Sequence, residues 1–133
     1  SNMRLCSNVP AQSIVQTALG GYQSVEEYLV PGGRIYEQRE CVYNLLKDIP
    51  GISVVKPKAA FYIFPKIDTE KFNITDDMKF AYDFLYQKQV LIVQGTGFNW
   101  IAPDHFRIVY LPHRRTLRSA CAKLEEFLQY YHQ

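Results

Sequence analysis

Apolar side chains return every three or four residues near the end of the chain, which is the spacing of one face of an α-helix. The stripe consists of Leu117, Ala120, Cys121, Leu124, Phe127, Leu128 and Tyr131. Arg118, Lys123 and the pair Glu125-Glu126 fall on the opposite side. The pattern predicts a terminal helix whose apolar face packs on a core.

Two further stretches show helical spacing. Apolar positions between residues 35 and 49 predict an amphipathic helix that begins at Arg34 and ends near Asp48. Further along, Thr75-Asp76-Asp77 supplies a cap and two carboxylates that suit the positive end of a helix dipole, ahead of an apolar stripe at residues 80–85. This helix is predicted to stop near Lys88.

Shorter helices are predicted near the amino end. Asn8-Val9-Pro10 places a capping residue and a helix-compatible proline before an apolar segment that Gly20-Gly21 ends. Ser24-Val25-Glu26-Glu27 has the spacing of a capping box. It predicts a brief helical turn up to Val30, which Pro31-Gly32-Gly33 then breaks.

Four runs have the character of strands. Residues 52–55 and 60–64 are short and rich in β-branched or aromatic side chains, and they predict a pair of strands. Residues 90–93 are apolar throughout, as expected of a strand covered on both sides, whereas residues 106–110 alternate. The order of elements predicts an α+β fold, an α/β sandwich in which helices pack on a small mixed β-sheet.

Composition narrows the class of protein. The chain has 133 residues, of which 47% are hydrophobic, enough to bury one substantial core. Its net charge of +2 is far below what nucleic-acid binding requires, and no run approaches the roughly twenty apolar residues of a membrane span. Cys6, Cys41 and Cys121 fit neither a disulfide framework nor a metal clamp, which favours a reducing, cytoplasmic location without a metal site.

Arg107 is the leading candidate for chemistry. Phe106, Ile108 and Tyr110 alternate on one face of the predicted strand, which places the Arg107 guanidinium on the other face. A planar guanidinium captures a carboxylate through two parallel hydrogen bonds, and a strand holds it more rigidly than a loop does. From the residues alone, this role and that of a plain surface ion pair both remain open.

The segment before this strand, residues 94–100, contains Gly95 and Gly97. It predicts either a pocket lining or an ordinary surface connection with Phe98 packed against the protein. A single Gly-x-Gly without a third glycine does not predict a phosphate-binding loop. Tyr62 is a further candidate, because it lies on the face of its strand opposite Ile63.

Five segments in this order resemble class I aminotransferases of fold type I. They are Val9-Pro10 before a helix, Pro31-Gly32-Gly33-Arg34-Ile35-Tyr36-Glu37-Gln38-Arg39, Lys58-Ala59-Ala60-Phe61-Tyr62, the loop at residues 94–99, and His105-Phe106-Arg107-Ile108. The resemblance covers essentially the whole chain and is greatest to bacterial alanine aminotransferases, which exchange amino groups between alanine and 2-oxoglutarate. It implies that residues 21–133 form the small carboxyl-terminal domain and that residues 1–20 include a linking helix from the large domain. Within residues 1–20, Ser1-Asn2 ahead of Met3 resembles the remnant of a cleaved tag.

The resemblance also implies the roles of particular residues. Arg107 matches the arginine that binds the α-carboxylate of the substrate, an amino acid or 2-oxo acid. Possible pocket-lining residues around it are Tyr62, Gly97, Phe98 and Asn99. Pyridoxal 5'-phosphate, the Schiff-base lysine and the main contacts of a homodimer would belong to a large domain upstream of this chain. The chain alone is therefore expected to be inactive and to hold no cofactor.

An independent binding module is the alternative. In this interpretation a small αβ regulatory domain captures an organic acid through Arg107 and the basic cluster His113-Arg114-Arg115. The cluster lies at the start of the last helix, where positive charge opposes the helix dipole. An anion, a neighbouring acidic surface or solvent could neutralise it.

Overall fold

Helices and short strands alternate along the residues described by the computed structural model, which are 8–21 and 23–133. The helices are α1 (Val9–Ser13), α2 (Val15–Gly20), α3 (Glu26–Leu29), α4 (Arg34–Lys47), α5 (Thr69–Phe72), α6 (Asp77–Lys88) and α7 (Arg114–Tyr130). The strands are β1 (Ile52–Ser53), β2 (Tyr62–Ile63), β3 (Lys66–Ile67), β4 (Val93–Gln94) and β5 (Phe106–Val109), and a 3-10 helix, Gly95–Phe98, follows β4. The predicted tag remnant, Ser1-Asn2, lies outside the described residues.

The three long helices, α4, α6 and α7, confirm the helices that the hydrophobic pattern predicts. The predicted stripe of α7 is buried at Leu117, Cys121, Leu124, Phe127 and Leu128. Helix α4 buries Val42 and Leu46 and packs on α7. Burying side chains of this size stabilises the fold by about 1.5–3 kcal/mol each before the entropy of ordering them is subtracted.

The helix starts follow the predicted caps in part. Asn8 caps α1 by accepting a hydrogen bond from the backbone N–H of Ala11 at 2.8 Å, but the helix breaks at Ile14, so the one predicted helix is two. Asp76 caps α6. The predicted capping box at Ser24 is wrong, because α3 begins after Val25 and has no side-chain cap hydrogen bond.

The predicted pairing of residues 52–55 with 60–64 is wrong. β1 pairs with β3, in the register Ile52↔Ile67, whereas β2 pairs with β5. Between β1 and β2, Ala60 adopts a positive φ of 66°, a conformation that L-residues rarely take, and the chain enters a different sheet.

The α+β class is confirmed, and its sheets are small. A two-stranded sheet contains β1 and β3, and a three-stranded sheet has the order β2-β5-β4. Each of these strand pairs is antiparallel, whereas the sequence predicted a mixed sheet. The prediction that residues 90–93 are a strand covered on both sides is also wrong. Ile92 is 4% exposed but Leu91 is 74% exposed, and of these four residues Val93 alone lies in a strand, β4.

The core lies between the three-stranded sheet and the helices α4, α6 and α7. Phe80 of α6 is at its centre, with its ring within 6.0 Å of the rings of Phe106, Phe127 and Tyr131. The amino-terminal helices α1, α2 and α3 bury none of their residues. Within the described residues, none of the helices combines the length and apolar character needed to cross a membrane.

Candidate functional site

The guanidinium of Arg107 contacts two aromatic rings. Its Cζ atom lies 4.0 Å from the centroid of the Phe98 ring and 5.1 Å from that of Tyr62. Both distances lie within the range in which a cation is attracted to the face of an aromatic ring. The structure thus brings together three of the residues singled out from the sequence.

The strand register explains why Tyr62 and Arg107 meet. Tyr62 pairs with Val109, and successive residues of β5 point to opposite faces of the sheet. Phe106 is 1% exposed on the core face, so Arg107 and Val109 share the other face with Tyr62. Tyr62 is therefore the diagonal cross-strand neighbour of Arg107, within reach of a long side chain.

Phe98 reaches Arg107 from the 3-10 helix that follows β4. β4 and β5 run side by side in the register Val93↔Arg107, and the Gly95 N–H donates to the His105 carbonyl at 2.8 Å. The turn ends at Asn99, which has a left-handed φ of 60°. The other predicted lining residues, Gly97 and Asn99, are exposed in this turn and, within the described part of the chain, form no hydrogen bond with Arg107.

No acid neutralises Arg107 among residues 8–21 and 23–133. The structure gives it no salt bridge and no hydrogen bond there, and its Nε atom is buried without an acceptor. A buried N–H group without a partner costs free energy that an incoming acceptor recovers. Because the ion-pair alternative is not realised in the described residues, the arrangement is suited to a planar anion such as a carboxylate.

Asp77 is a residue of the site region that the sequence did not reveal. It was predicted only as an acidic residue at the start of a helix, yet it is 5% exposed and accepts hydrogen bonds from Thr96. The contact joins α6 to the turn that carries Phe98. An acidic residue at the start of a helix was the signal available in the sequence, and periodicity indicates neither its burial nor its partner.

A second cluster supports the same segment at its far end. The Asp104 carboxylate accepts from the Trp100 indole and contacts His105 Nδ1, both at 2.8 Å, and Lys66 lies 3.7 Å away. Burial raises the pKa of Asp104, but hydrogen bonds from His105 and Trp100 and the charge of Lys66 lower it by more, so its pKa lies below the usual value. Asp104 is therefore an anchor for the residues just before β5.

A mainly apolar groove of about 470 Å³ runs beside Arg107 between the β4–β5 edge and α7. Leu91, Val109 and Pro112 contribute to its wall. Lys123 also lines it, but the Lys123 ammonium donates to the carbonyl of Lys88 at 3.3 Å. Phe98 and Tyr62, whose rings contact the Arg107 guanidinium, do not line this groove.

The basic cluster of residues 113–115 lies elsewhere. His113 caps α7 by accepting from the Arg115 N–H at 3.4 Å, and Arg114 lies 3.9 Å from Glu37. His113 and Arg114 line a small cavity with Gly32 and residues of α4. The described part of the chain contains no group of three or more His, Cys, Asp or Glu residues that could hold a metal ion.

Comparisons with known proteins agree on one family. A family model described as aminotransferase class I and II matches residues 2–124. The glutamate-pyruvate aminotransferase AlaA of Escherichia coli is 58% identical over 133 residues, which are 100% of this chain and 33% of that protein. An alanine aminotransferase of Mycobacterium tuberculosis is 51% identical over the same 100% of this chain, which corresponds to 31% of its own length.

Solved structures show the same likeness. A crystal structure of an aminotransferase from Escherichia coli superimposes with a TM-score of 0.87 and 58% identity, covering 97% of this chain and 32% of that one. An alanine aminotransferase from Pyrococcus furiosus gives a TM-score of 0.76 and 39% identity, over 94% of this chain and 31% of its own. The chain thus spans about a third of the length of the relatives that it matches.

Proposed function

Since this chain belongs to the family of class I and II aminotransferases, we propose that it is the carboxyl-terminal small domain, residues 21–133, of a longer alanine aminotransferase. The parent enzyme exchanges an amino group between L-alanine, or a similar amino acid, and 2-oxoglutarate. Residues 1–20 join this domain to the rest of the polypeptide. The names of the relatives, a glutamate-pyruvate and an alanine aminotransferase, support this choice of reaction.

The role of this domain is to bind the α-carboxylate of the substrate through Arg107. The observation that carries the proposal is the guanidinium itself, which contacts the rings of Phe98 and Tyr62 and has no anionic partner among the described residues. Two parallel hydrogen bonds to a carboxylate fix both the position and the rotation of the substrate, so the bond to be broken is oriented before proton transfer begins.

Pyridoxal 5'-phosphate is the cofactor that the family implies, and the described residues around Arg107 do not offer it the free lysine amine that it needs. The two side chains that contact Arg107 are aromatic, and Lys123, the lysine that lines the adjacent groove, is turned to a backbone carbonyl. The Schiff-base lysine and the phosphate-binding groups therefore belong, in this proposal, to the large domain. The chain alone is then inactive.

The location and assembly of the parent belong to the same proposal. Cys41 and Cys121 are free thiols, as is usual for proteins of the cytoplasm. The open groove beside Arg107 is suited to a second wall from the large domain or from the other subunit of a homodimer.

Kinetics of the longer polypeptide test the assignment. Arg107→Ala should raise the KM for alanine by roughly tenfold or more, since hydrogen bonds to charged groups contribute about 1.5–3 kcal/mol each. Arg107→Lys should not restore it, because an ammonium lacks the planar pair of donors. Unchanged KM in both variants would overturn the proposal.

Arg115→Ala is the matched control. Arg115 is an exposed arginine of the basic cluster, away from the contacts of Arg107. The alternative of an independent organic-acid module predicts that Arg115→Ala also weakens binding, and that the 133-residue chain binds pyruvate on its own. Calorimetric titration of this chain with pyruvate and 2-oxoglutarate separates the two, because half a site should give no measurable heat of binding.

A further inference from the structure

The Asp77 carboxylate forms hydrogen bonds with the turn that carries Phe98. Asp77 Oδ2 accepts from the backbone N–H of Thr96 at 2.9 Å, and Asp77 Oδ1 accepts from the Thr96 hydroxyl at 2.7 Å. Asp77 is 5% exposed whereas Thr96 is exposed, so the two hydrogen bonds join a surface turn to a buried carboxylate. Thr96 is thereby fixed to the first turn of α6.

The fixed residue belongs to the element that contacts the guanidinium. Thr96 and Phe98 lie in the same four-residue 3-10 helix, Gly95–Phe98, so displacement of one moves the other. The Arg107 guanidinium has no hydrogen bond among the described residues, and its ring contacts are with Phe98 and Tyr62. The orientation of the guanidinium therefore depends on where the turn holds Phe98.

Other contacts hold the two ends of this segment. The Gly95 N–H donates to the His105 carbonyl, and the Trp100 indole donates to Asp104. Neither contact involves Thr96. Loss of the Asp77–Thr96 contact would therefore leave both ends in place and release only the middle of the turn, where Phe98 lies.

From this arrangement we infer that Asp77 and Thr96 are positioning residues for substrate binding. Through Phe98 they hold the Arg107 guanidinium in the orientation that receives an α-carboxylate. The inference rests on the function proposed for Arg107. In this proposal both residues act through Phe98 rather than by binding the substrate, so their loss should change substrate affinity and leave the chemical step intact.

Thr96→Val tests the inference in the longer polypeptide with its cofactor bound, since it removes the hydroxyl and keeps the shape. The KM for alanine is expected to rise roughly threefold to tenfold, the range that corresponds to one lost hydrogen bond, with little change in kcat. Thr96→Ser retains the hydroxyl and should restore the KM. Calorimetric titration with pyruvate should rank the variants in the same order.

Thr75→Val is the matched control. Thr75 also donates its N–H and its hydroxyl to a single side-chain acceptor, Gln133 Oε1, at 2.7 and 3.1 Å, but on the side of α6 that faces the carboxyl terminus. The Thr75→Val variant should have a lower melting temperature and an unchanged KM for alanine. This variant measures the effect of a lost threonine hydrogen bond on stability alone.

Arg107→Ala separates the two claims. If Arg107→Ala leaves the KM unchanged, the proposed function fails. If Arg107→Ala raises the KM while Thr96→Val changes it no more than Thr75→Val does, the proposed function stands and the positioning role is overturned. A raised KM in Thr96→Val that Thr96→Ser restores supports the positioning role.

Discussion

The Cζ atom of Arg107 in β5 lies 4.0 Å from the centroid of the Phe98 ring, which belongs to the 3-10 helix after the neighbouring antiparallel strand β4. An aromatic ring over the face of a guanidinium attracts it without using its N–H groups. Those groups stay free for an acceptor in the plane of the guanidinium. The contact therefore restrains the arginine while it remains able to bind a carboxylate.

Phe98→Ala should weaken substrate binding by about 1 kcal/mol, roughly a fivefold rise in KM for alanine, because the cation–π contact is lost. The measurement is steady-state kinetics of the longer polypeptide. Phe98→Tyr keeps the ring, so its KM for alanine should remain close to that of the unmutated enzyme. If Phe98→Ala and Phe98→Tyr bind alanine equally well, the ring contact has no part in holding Arg107.

Helices and the position of Arg107 could be predicted from the sequence because both depend on local periodicity. The stripe from Leu117 to Tyr131 specifies one face of a helix, and the alternation from Phe106 to Tyr110 specifies which way Arg107 points. A role for Arg107 in carboxylate binding came from the resemblance to a family, and it stays a prediction.

Pairings between distant segments could not be predicted in the same way. Periodicity indicates that residues 52–55 are extended, but their partner, β3, is specified by the path of the intervening chain. The Asp77–Thr96 contact is equally non-local, since an acid in the first turn of a helix is common for its effect on the dipole alone. Coverage of residues 90–93 on both faces was predicted from composition, whereas Leu91 is exposed and lies before β4 begins at Val93.

Gly95→Ala should destabilise the protein because the backbone passes too close for a side chain. A Cβ atom at Gly95 would lie 2.8 Å from the His105 carbonyl oxygen and 3.1 Å from the His105 Cβ atom. Displacing β4 from β5 is expected to lower the free energy of unfolding by about 1–3 kcal/mol. Urea unfolding followed by circular dichroism measures the change.

Gly97→Ala is the control for that variant. The nearest atom to a Cβ at Gly97 is the Gln94 Nε2, at an ordinary 3.4 Å and at the end of a flexible side chain. The change in unfolding free energy should stay within about 0.5 kcal/mol. Equal destabilisation by the two alanines would contradict the close approach at Gly95.

Gln133 closes the start of α6 with its side chain. Its Oε1 atom accepts from the N–H groups of Thr75 and Asp76 at 2.7 and 2.9 Å, and its Nε2 donates to the Asp76 carbonyl at 2.6 Å. Gln133→Ala should lower the free energy of unfolding by about 1–2 kcal/mol, because each lost hydrogen bond contributes about 0.5–1.5 kcal/mol net. Gln129→Ala, at an exposed position of α7, is the control, and a loss of similar size there would show that the cap contributes nothing.

Tyr131 should make the unfolding free energy of the protein fall as the pH rises in the alkaline range. Burial raises the pKa of Tyr131 from 10.0 to about 12; the hydrogen bond with Gln133 lowers it, and the hydrogen bond to Asp83, at 2.8 Å, raises it. Because the folded state holds the Tyr131 proton more tightly than the unfolded state, the contribution of Tyr131 to stability is complete below pH 10 and is lost as the pH rises through 12.

Between pH 9 and 11, the unfolding free energy of the unmutated chain should therefore fall more steeply than that of Tyr131→Phe, as measured by urea unfolding. Tyr86→Phe, at an exposed position of α6, should retain the steep fall, and a parent slope equal to that of Tyr131→Phe would exclude Tyr131 as its source.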